Sequence, residues 1–132
     1  MRPDWDIFCN VIDNYGDIGV AWRLARALKA ACAGEIRLWA DDLDAFRRIW
    51  PAVDPHADSQ RCADVEIRAW RTPAPPAEPA RRVIEAFGCA LPPGYLDAMA
   101  AQSPAPVWIN LEYQSAETWV ATHHGLPSPH PR

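Results

Sequence analysis

Two short apolar runs flank one amphipathic stretch within the first forty residues, and few folds accept that order. Trp5–Ile12 (WDIFCNVI) is apolar apart from Asp6 and Asn10, and it is rich in Ile, Val and aromatic side chains. That composition reads as a buried strand. From Ile18 to Ala31, apolar residues recur at 18, 21, 22, 24, 25 and 28, with Arg23, Arg26 and Lys29 on the other side. This is the stripe of an amphipathic helix, and Gly34 stops it. Glu35–Ala40 (EIRLWA) alternates and reads as a second strand.

The same rhythm continues downstream. Asp42 or Asp44 can cap a short helix that runs through Trp50 and ends at Pro51. Val65–Trp70 (VEIRAW) reads as a third strand. A β-α-β-α-β order without hairpin turn signals predicts an α/β fold, a doubly wound parallel sheet with helices on both faces. The proline-rich stretch 71–81 (RTPAPPAEPAR) is expected to be a loop or an extended surface segment. Arg82–Gly88 reads as a strand, Tyr95–Gln102 as a short helix and Val107–Leu111 as a fifth strand. Ser115–Thr122 follows as a short helix with Ser115 as its cap. The chain has no internal repeat.

Composition narrows the function. A chain of 132 residues is enough for one domain. Thirteen basic against 17 acidic side chains give a formal net charge of −4, which argues against a general nucleic-acid binder. No apolar run reaches membrane-spanning length and no secretory signal is recognisable, so the expected compartment is the cytoplasm, with no membrane partner. The four cysteines, at 9, 32, 62 and 89, lack C-x-x-C spacing, so neither a zinc site nor a redox dithiol is indicated. Cys9 and Cys32 fall on apolar faces as core thiols. Trp5, Trp22, Trp39 and Trp108 lie inside predicted elements. Trp70, beside the proline segment, is the candidate for an exposed interface residue.

In a doubly wound sheet, ligands gather beyond the carboxyl ends of the strands. The loop Asp13-Asn14-Tyr15-Gly16-Asp17 follows the first strand and is therefore the place to look for chemistry. It lacks the G-x-G-x-x-G of a dinucleotide site, and its two carboxylates would repel a phosphate. Asp41, after the second strand, is only a weak candidate for a ribose-binding acid. Asp13 and Asp17 stand four apart across a turn with Gly16. Facing one crevice, they form an acceptor-only pocket suited to a guanidinium, an ammonium, a hydroxyl or a metal ion. Spacing alone favours the plainer reading, in which Asp17 caps the helix and Asp13 closes an Asx-turn, because caps are common and catalytic pairs rare. Glu112, after the fifth strand, either joins that rim or is a solvated loop acid. Ser115 has no G-x-S-x-G frame. His123, His124 and His130 read as surface residues, because adjacent helical side chains point too far apart to share one metal.

Three stretches resemble a known family. Asp6–Arg26 (DIFCNVIDNYGDIGVAWRLAR) resembles the opening of the bacterial protein-arginine rhamnosyltransferases, which modify translation elongation factor P. Asn110–Val120 (NLEYQSAETWV), followed by His124–Pro129 (HGLPSP), is similar to that family's NLEYLSAE-W-V stretch, and Ile84–Cys89 (IEAFGC) fits between them. Gln114 stands where Leu is expected and Tyr15 where Phe is usual. The resemblance implies a Rossmann-like N-terminal domain of a two-domain GT-B glycosyltransferase, with the nucleotide-sugar domain absent from residues 1–132. It implies an inverting transfer of L-rhamnose from dTDP-L-rhamnose to an arginine guanidinium of elongation factor P, with no metal and no further cofactor. Asp17 is then the expected base or orienter and Asp13 its second carboxylate. Asn14, Tyr15, Gly16 and Glu112 are expected to contact substrate. Alone, the chain is expected to be inactive; the alternative is a non-catalytic α/β protein-binding fragment.

Overall fold

Alternate side chains along the strands feed two separate cores, one on each face of a single sheet. The computed structural model describes residues 3–11, 16–32, 34–71, 78–86 and 90–111. In chain order they form β1 (Trp5–Cys9), α1 (Gly16–Cys32), β2 (Ile36–Ala40), α2 (Leu43–Ile49), β3 (Ser59–Cys62), β4 (Val65–Ala69), β5 (Arg82–Ala86), α3 (Pro93–Ala101) and β6 (Val107–Leu111). The sheet order is β3-β4-β2-β1-β5-β6, with every pairing parallel except β3 against β4. This is the expected doubly wound, Rossmann-like α/β architecture. The strand expected last is the sixth in the chain, and the helix expected at 115–122 lies outside the described residues.

On the first face, Ile7, Cys9, Ile36, Leu38, Val65, Ile67, Ile84 and Ala86 meet Ile18, Ala21, Trp22 and Ala25 of α1 and Leu43 and Phe46 of α2. The stripe read from sequence is thus the buried side of α1, with Leu24 and Leu28 half-buried at its margin. Asp42 caps α2, its side chain accepting from the Ala45 N–H at 3.0 Å. Gly34 follows α1 at a tight crossing. A β-carbon there would lie 2.6 Å from the Asp4 carboxylate, which accepts the Glu35 N–H at 2.8 Å. A side chain there would push the Asp4 carboxylate away from the Glu35 N–H.

The second face is aromatic and polar. Phe8, Trp39 and Val83 pack against Leu91, Tyr95 and Met99 from α3 and the residues leading into it. Phe8 stacks on Trp39 with ring centres 5.2 Å apart and 7° between planes. In the middle sits Asp6, fully buried. Its Oδ1 accepts from Arg37 Nε at 2.5 Å and Trp39 Nε1 at 3.0 Å. Its Oδ2 accepts from Arg37 Nη2 at 2.7 Å, the Ala80 N–H at 3.1 Å and the Tyr95 hydroxyl at 2.5 Å. Arg37 Nη2 also donates to the Glu78 carbonyl at 2.8 Å. Burial by itself would lower the Arg37 pKa; the hydrogen bonds and charge of Asp6 outweigh that and hold it above its usual range.

Three expectations need correction. First, β3 was not visible, because SQRC has no apolar alternation. It pairs antiparallel with β4 through a turn at Ala63 and Asp64, both at positive φ (51° and 63°). Left-handed backbone at both central residues matches hairpin twist, but Ala-Asp lacks the glycine that would announce it. Second, the proline-rich crossover is not wholly a surface segment. Pro79 is buried and Ala80 is fully buried, held by Asp6 and by the Tyr95 hydroxyl. Third, Trp70 is not an exposed interface residue. It is half-buried against the second core, edge-on to Phe8 at 5.3 Å.

Leaving a buried charge uncompensated costs about 3–5 kcal/mol, a large part of a domain's net stability. Asp6→Ala, which strands Arg37, is expected to unfold the chain or lower its urea midpoint severely. Tyr95→Phe removes a single donor to a charged acceptor, so its expected cost is about 1.5–3 kcal/mol at neutral pH. Burial, then the charge and hydrogen bond of Asp6, push the Tyr95 pKa well above the usual tyrosine range. Above about pH 10 the unfolded chain releases this proton and the folded chain keeps it, so stability falls as pH rises. The wild type should therefore lose stability more steeply than Tyr95→Phe in that range, by up to about 1.4 kcal/mol per pH unit. Urea titrations of both proteins between pH 8 and about pH 11 check this; parallel curves would refute it.

Candidate active site

The chain fills one half of the sheet from β1 through β2 to β4, then returns to the other side of β1 for β5 and β6. The direction of winding reverses between β1 and β5. Crossovers of one hand place α1 and α2 on one face and α3 on the other. In doubly wound sheets a reversal of this kind marks where ligands gather, beyond the carboxyl ends of the two strands, here β1 and β5.

β1 ends at Cys9, earlier than its apolar run, and Asn10 and Val11 leave it half-buried. The Val11 N–H donates to Asp41 Oδ1 at 2.7 Å. Asp41 thus ties the exit of β1 to the exit of β2. That use accounts for an acid which the sequence had offered, weakly, as a ribose ligand.

α1 begins at Gly16, earlier than its apolar stripe suggests. Asp17 therefore lies inside the first helical turn rather than at the cap of a helix from Ile18, and the plainer reading of it becomes an acid at the positive end of the helix. It is 3% exposed, whereas Gly16 is exposed. The unsatisfied N–H groups and positive dipole end of a helix favour a carboxylate there. Asp13, Asn14, Tyr15 and Glu112 lie outside the described residues, as do Ser115, His123, His124 and His130. Of the expected site, the structure places Asp17 and Gly16.

Glu85, the penultimate residue of β5, is 7% exposed and was not singled out by sequence reasoning. Its Oε1 accepts from Trp108 Nε1 at 3.0 Å and its Oε2 from the Ala90 N–H at 3.1 Å. An acid inside an otherwise apolar strand run was the available signal, as it was for Asp6. Cys9 and Cys62 are buried thiols outside any disulfide. Among the described residues, no group of three or more His, Cys, Asp or Glu is arranged to hold a metal ion, and no helix is long and apolar enough to cross a membrane.

This arrangement places a carboxylate at the end of the helix where a phosphate would otherwise bind. It suits a cation or a hydrogen-bond donor, which it can orient by charge-assisted hydrogen bonds. It can also accept a proton from a group that becomes acidic during reaction.

Comparison with known proteins adds to this geometry. The model of the family described as elongation-factor P (EF-P) rhamnosyltransferase EarP matches residues 5–132. The chain is 53% identical over 131 residues to a protein-arginine rhamnosyltransferase of Pseudomonas putida, covering 99% of the chain and 35% of that protein. It is 52% identical over 124 residues to the protein-arginine rhamnosyltransferase of Pseudomonas aeruginosa, covering 94% of the chain and 33% of that protein. With the same-named protein of Neisseria meningitidis the identity is 41% over 128 residues, covering 93% and 32%. The chain spans about a third of the length of the curated relatives it matches.

The Asp41 link is open to a direct check. Asp41→Ala removes the acceptor of the Val11 N–H, at an expected cost of about 0.5–1.5 kcal/mol. Hydrogen exchange at the Val11 amide should quicken by roughly two- to tenfold, with amides inside β4 unchanged. An unaltered Val11 rate would show that Asp41 does not hold the exit of β1.

Proposed function

The chain belongs to the elongation-factor P rhamnosyltransferase family, and on that premise we propose that it forms an acceptor-side, N-terminal Rossmann-like part of a GT-B protein-arginine rhamnosyltransferase. The observation that carries this reading is Asp17, a carboxylate buried in the first turn of the helix that follows the central strand, at the switch point of the sheet. The acceptor is an arginine of elongation factor P and the donor dTDP-L-rhamnose. Both work in the cytoplasm, with neither a metal nor a further cofactor.

The chemistry must respect the guanidinium. Its pKa lies above 12, so no carboxylate removes its proton in the ground state. A guanidinium nitrogen attacks the anomeric carbon of rhamnose from the side opposite the diphosphate. The new C–N bond forms as the C–O bond breaks, and dTDP leaves with the electron pair. Configuration at that carbon inverts. As the bond forms, the attacked nitrogen becomes far more acidic, and Asp17 accepts its proton. Before that, the same carboxylate holds the guanidinium in line by charge-assisted hydrogen bonds. Asp13 is the second carboxylate. Asn14, Tyr15, Gly16 and Glu112 line the approach of sugar and acceptor. The diphosphate lies away from these acids, on a second domain in the part of the relatives' length that the chain does not span.

Asp17→Asn keeps the shape and removes the base. In a protein of the relatives' full length carrying this chain, it should lower arginine rhamnosylation by about 10²–10⁴-fold, read as the intact mass of elongation factor P. Affinity for elongation factor P should change far less. Full activity in that variant would exclude Asp17 from catalysis. For residues 1–132 alone, calorimetry should detect elongation factor P binding without turnover. No heat and no spectral change on titration would remove the acceptor-side assignment.

A further inference from the structure

We propose that Arg23, Arg26 and Arg47, on the outer side of α1 and α2, form a docking surface for an acidic face of the protein acceptor. The inference rests on the functional reading given above. The chain is acidic overall, with a formal net charge of −4. The two helices on the apolar face carry the opposite sign outward. α1 has Arg23, Arg26 and Lys29, and its one acid, Asp17, is buried. α2 has Arg47 and Arg48 in its last turn against Asp44 in its first. Lys29 is engaged, donating to the Gly34 carbonyl at 2.9 Å.

Arg37, Arg61, Arg68 and Arg71 each meet an acid within ion-pair distance. Arg23, Arg26 and Arg47 are exposed, and among the described residues no acid, Asp44 included, comes that close to them. The three stand together. Arg23 and Arg26 are three apart on α1 and therefore neighbours on its surface. The Arg26 guanidinium lies over the half-buried Trp50 ring, 4.9 Å from its centre, and 5.9 Å from that of Trp22. Trp50 ends α2 three residues after Arg47, so Arg47 stands one turn from the ring that Arg26 covers.

A helix end favours a cation in its last turn, which accounts for Arg47 by itself. Arg23 and Arg26 lie in the middle of α1, where like charges three apart repel and no helix end offsets them. The indole contact holds Arg26 in place, so less freedom is lost when an anion meets it. Arginine and tryptophan are also the side chains that most often anchor protein interfaces. A polyanion such as RNA is disfavoured by the net charge, whereas a small acidic face on a protein matches three arginines. Arg23 and Arg26 lie roughly 9 and 13.5 Å further along the helix axis than Asp17. One side of an ordinary protein interface, about 800 Å², spans that distance. A protein that presents an arginine to Asp17 can therefore rest on this surface.

Calorimetric titration of elongation factor P into the chain tests the assignment. At roughly 0.05 M salt, Arg26→Glu should weaken binding about fivefold and Arg23→Glu/Arg26→Glu/Arg47→Glu about 30-fold or more. At roughly 0.5 M salt the loss in the triple variant should shrink below about fivefold. Arg81→Glu changes net charge as much as Arg26→Glu, at an exposed arginine just before β5, and should cost less than about twofold. Circular dichroism checks the helices, and the three single variants decide the matter if the triple variant loses them. Wild-type affinity in the triple variant overturns the proposal and leaves the functional reading standing. Equal losses in Arg81→Glu and Arg26→Glu overturn it too, because net charge alone would then act. Tighter binding of a short RNA than of elongation factor P, lost in the triple variant, would give the surface to nucleic acid instead. If the unaltered chain does not bind elongation factor P, the functional reading fails and this partner with it.

Discussion

The carboxylate of Asp6 is the constraint around which the second face of the sheet is built. It sits on the central strand with no exposure to water and collects hydrogen bonds from Arg37, Trp39, Ala80 and Tyr95. A buried charge is tolerated only with such compensation. Those bonds join β1, β2, α3 and the crossover from β4 to β5. Crossovers between parallel strands usually carry a helix that covers the sheet. The near end of this one, at residues 78–80, is instead anchored to the sheet by one carboxylate and one guanidinium. Aromatic surface completes the cover, with Phe8 stacked on Trp39 and the guanidinium groups of Arg37 and Arg68 over the Trp39 ring at 5.2 and 5.5 Å.

The two faces therefore do different work. The α1–α2 face is apolar and depends on burial and close packing. The opposite face uses buried acids as attachment points, Asp6 for the crossover and Glu85 for the connection after β5. These acids stand on adjacent strands, β1 and β5, between which the winding of the sheet reverses. The α1 helix, whose first turn carries Asp17, packs on the apolar face.

Much of the architecture was legible from residue order. The stripe in α1, an aspartate cap on α2 at 42 or 44, and the strands β1, β2 and β4 follow from periodicity and local chemistry. β3 did not, because a polar edge strand has no alternation to read and its turn uses Ala63 and Asp64 in left-handed backbone. The crossover was half legible. Its prolines exclude regular structure, but the burial of Ala80 depends on Asp6, 74 residues away. Asp6 and Glu85 were visible only as acids interrupting apolar runs. The donors that explain Asp6 lie 31 to 89 residues away, and those of Glu85 lie 5 and 23 away. At the site, spacing alone left Asp17 open between a cap and a chemical group. The start of α1 at Gly16 puts Asp17 in the first helical turn, where the helix end itself favours an acid.

By itself the sequence determined the layer order, the buried side of α1, and a loop that carries acids where a phosphate-binding loop would carry glycines. Those properties are local, since each depends on residues within a few positions of one another. Only the tertiary structure decided that Asp17 is buried in its helical turn, that Asp41 ties the exit of β1, and that Asp6 and Glu85 anchor distant segments. Hydrogen bonds to a buried carboxylate form between groups that meet in space and are far apart along the chain. No periodicity in the sequence encodes which of them will meet.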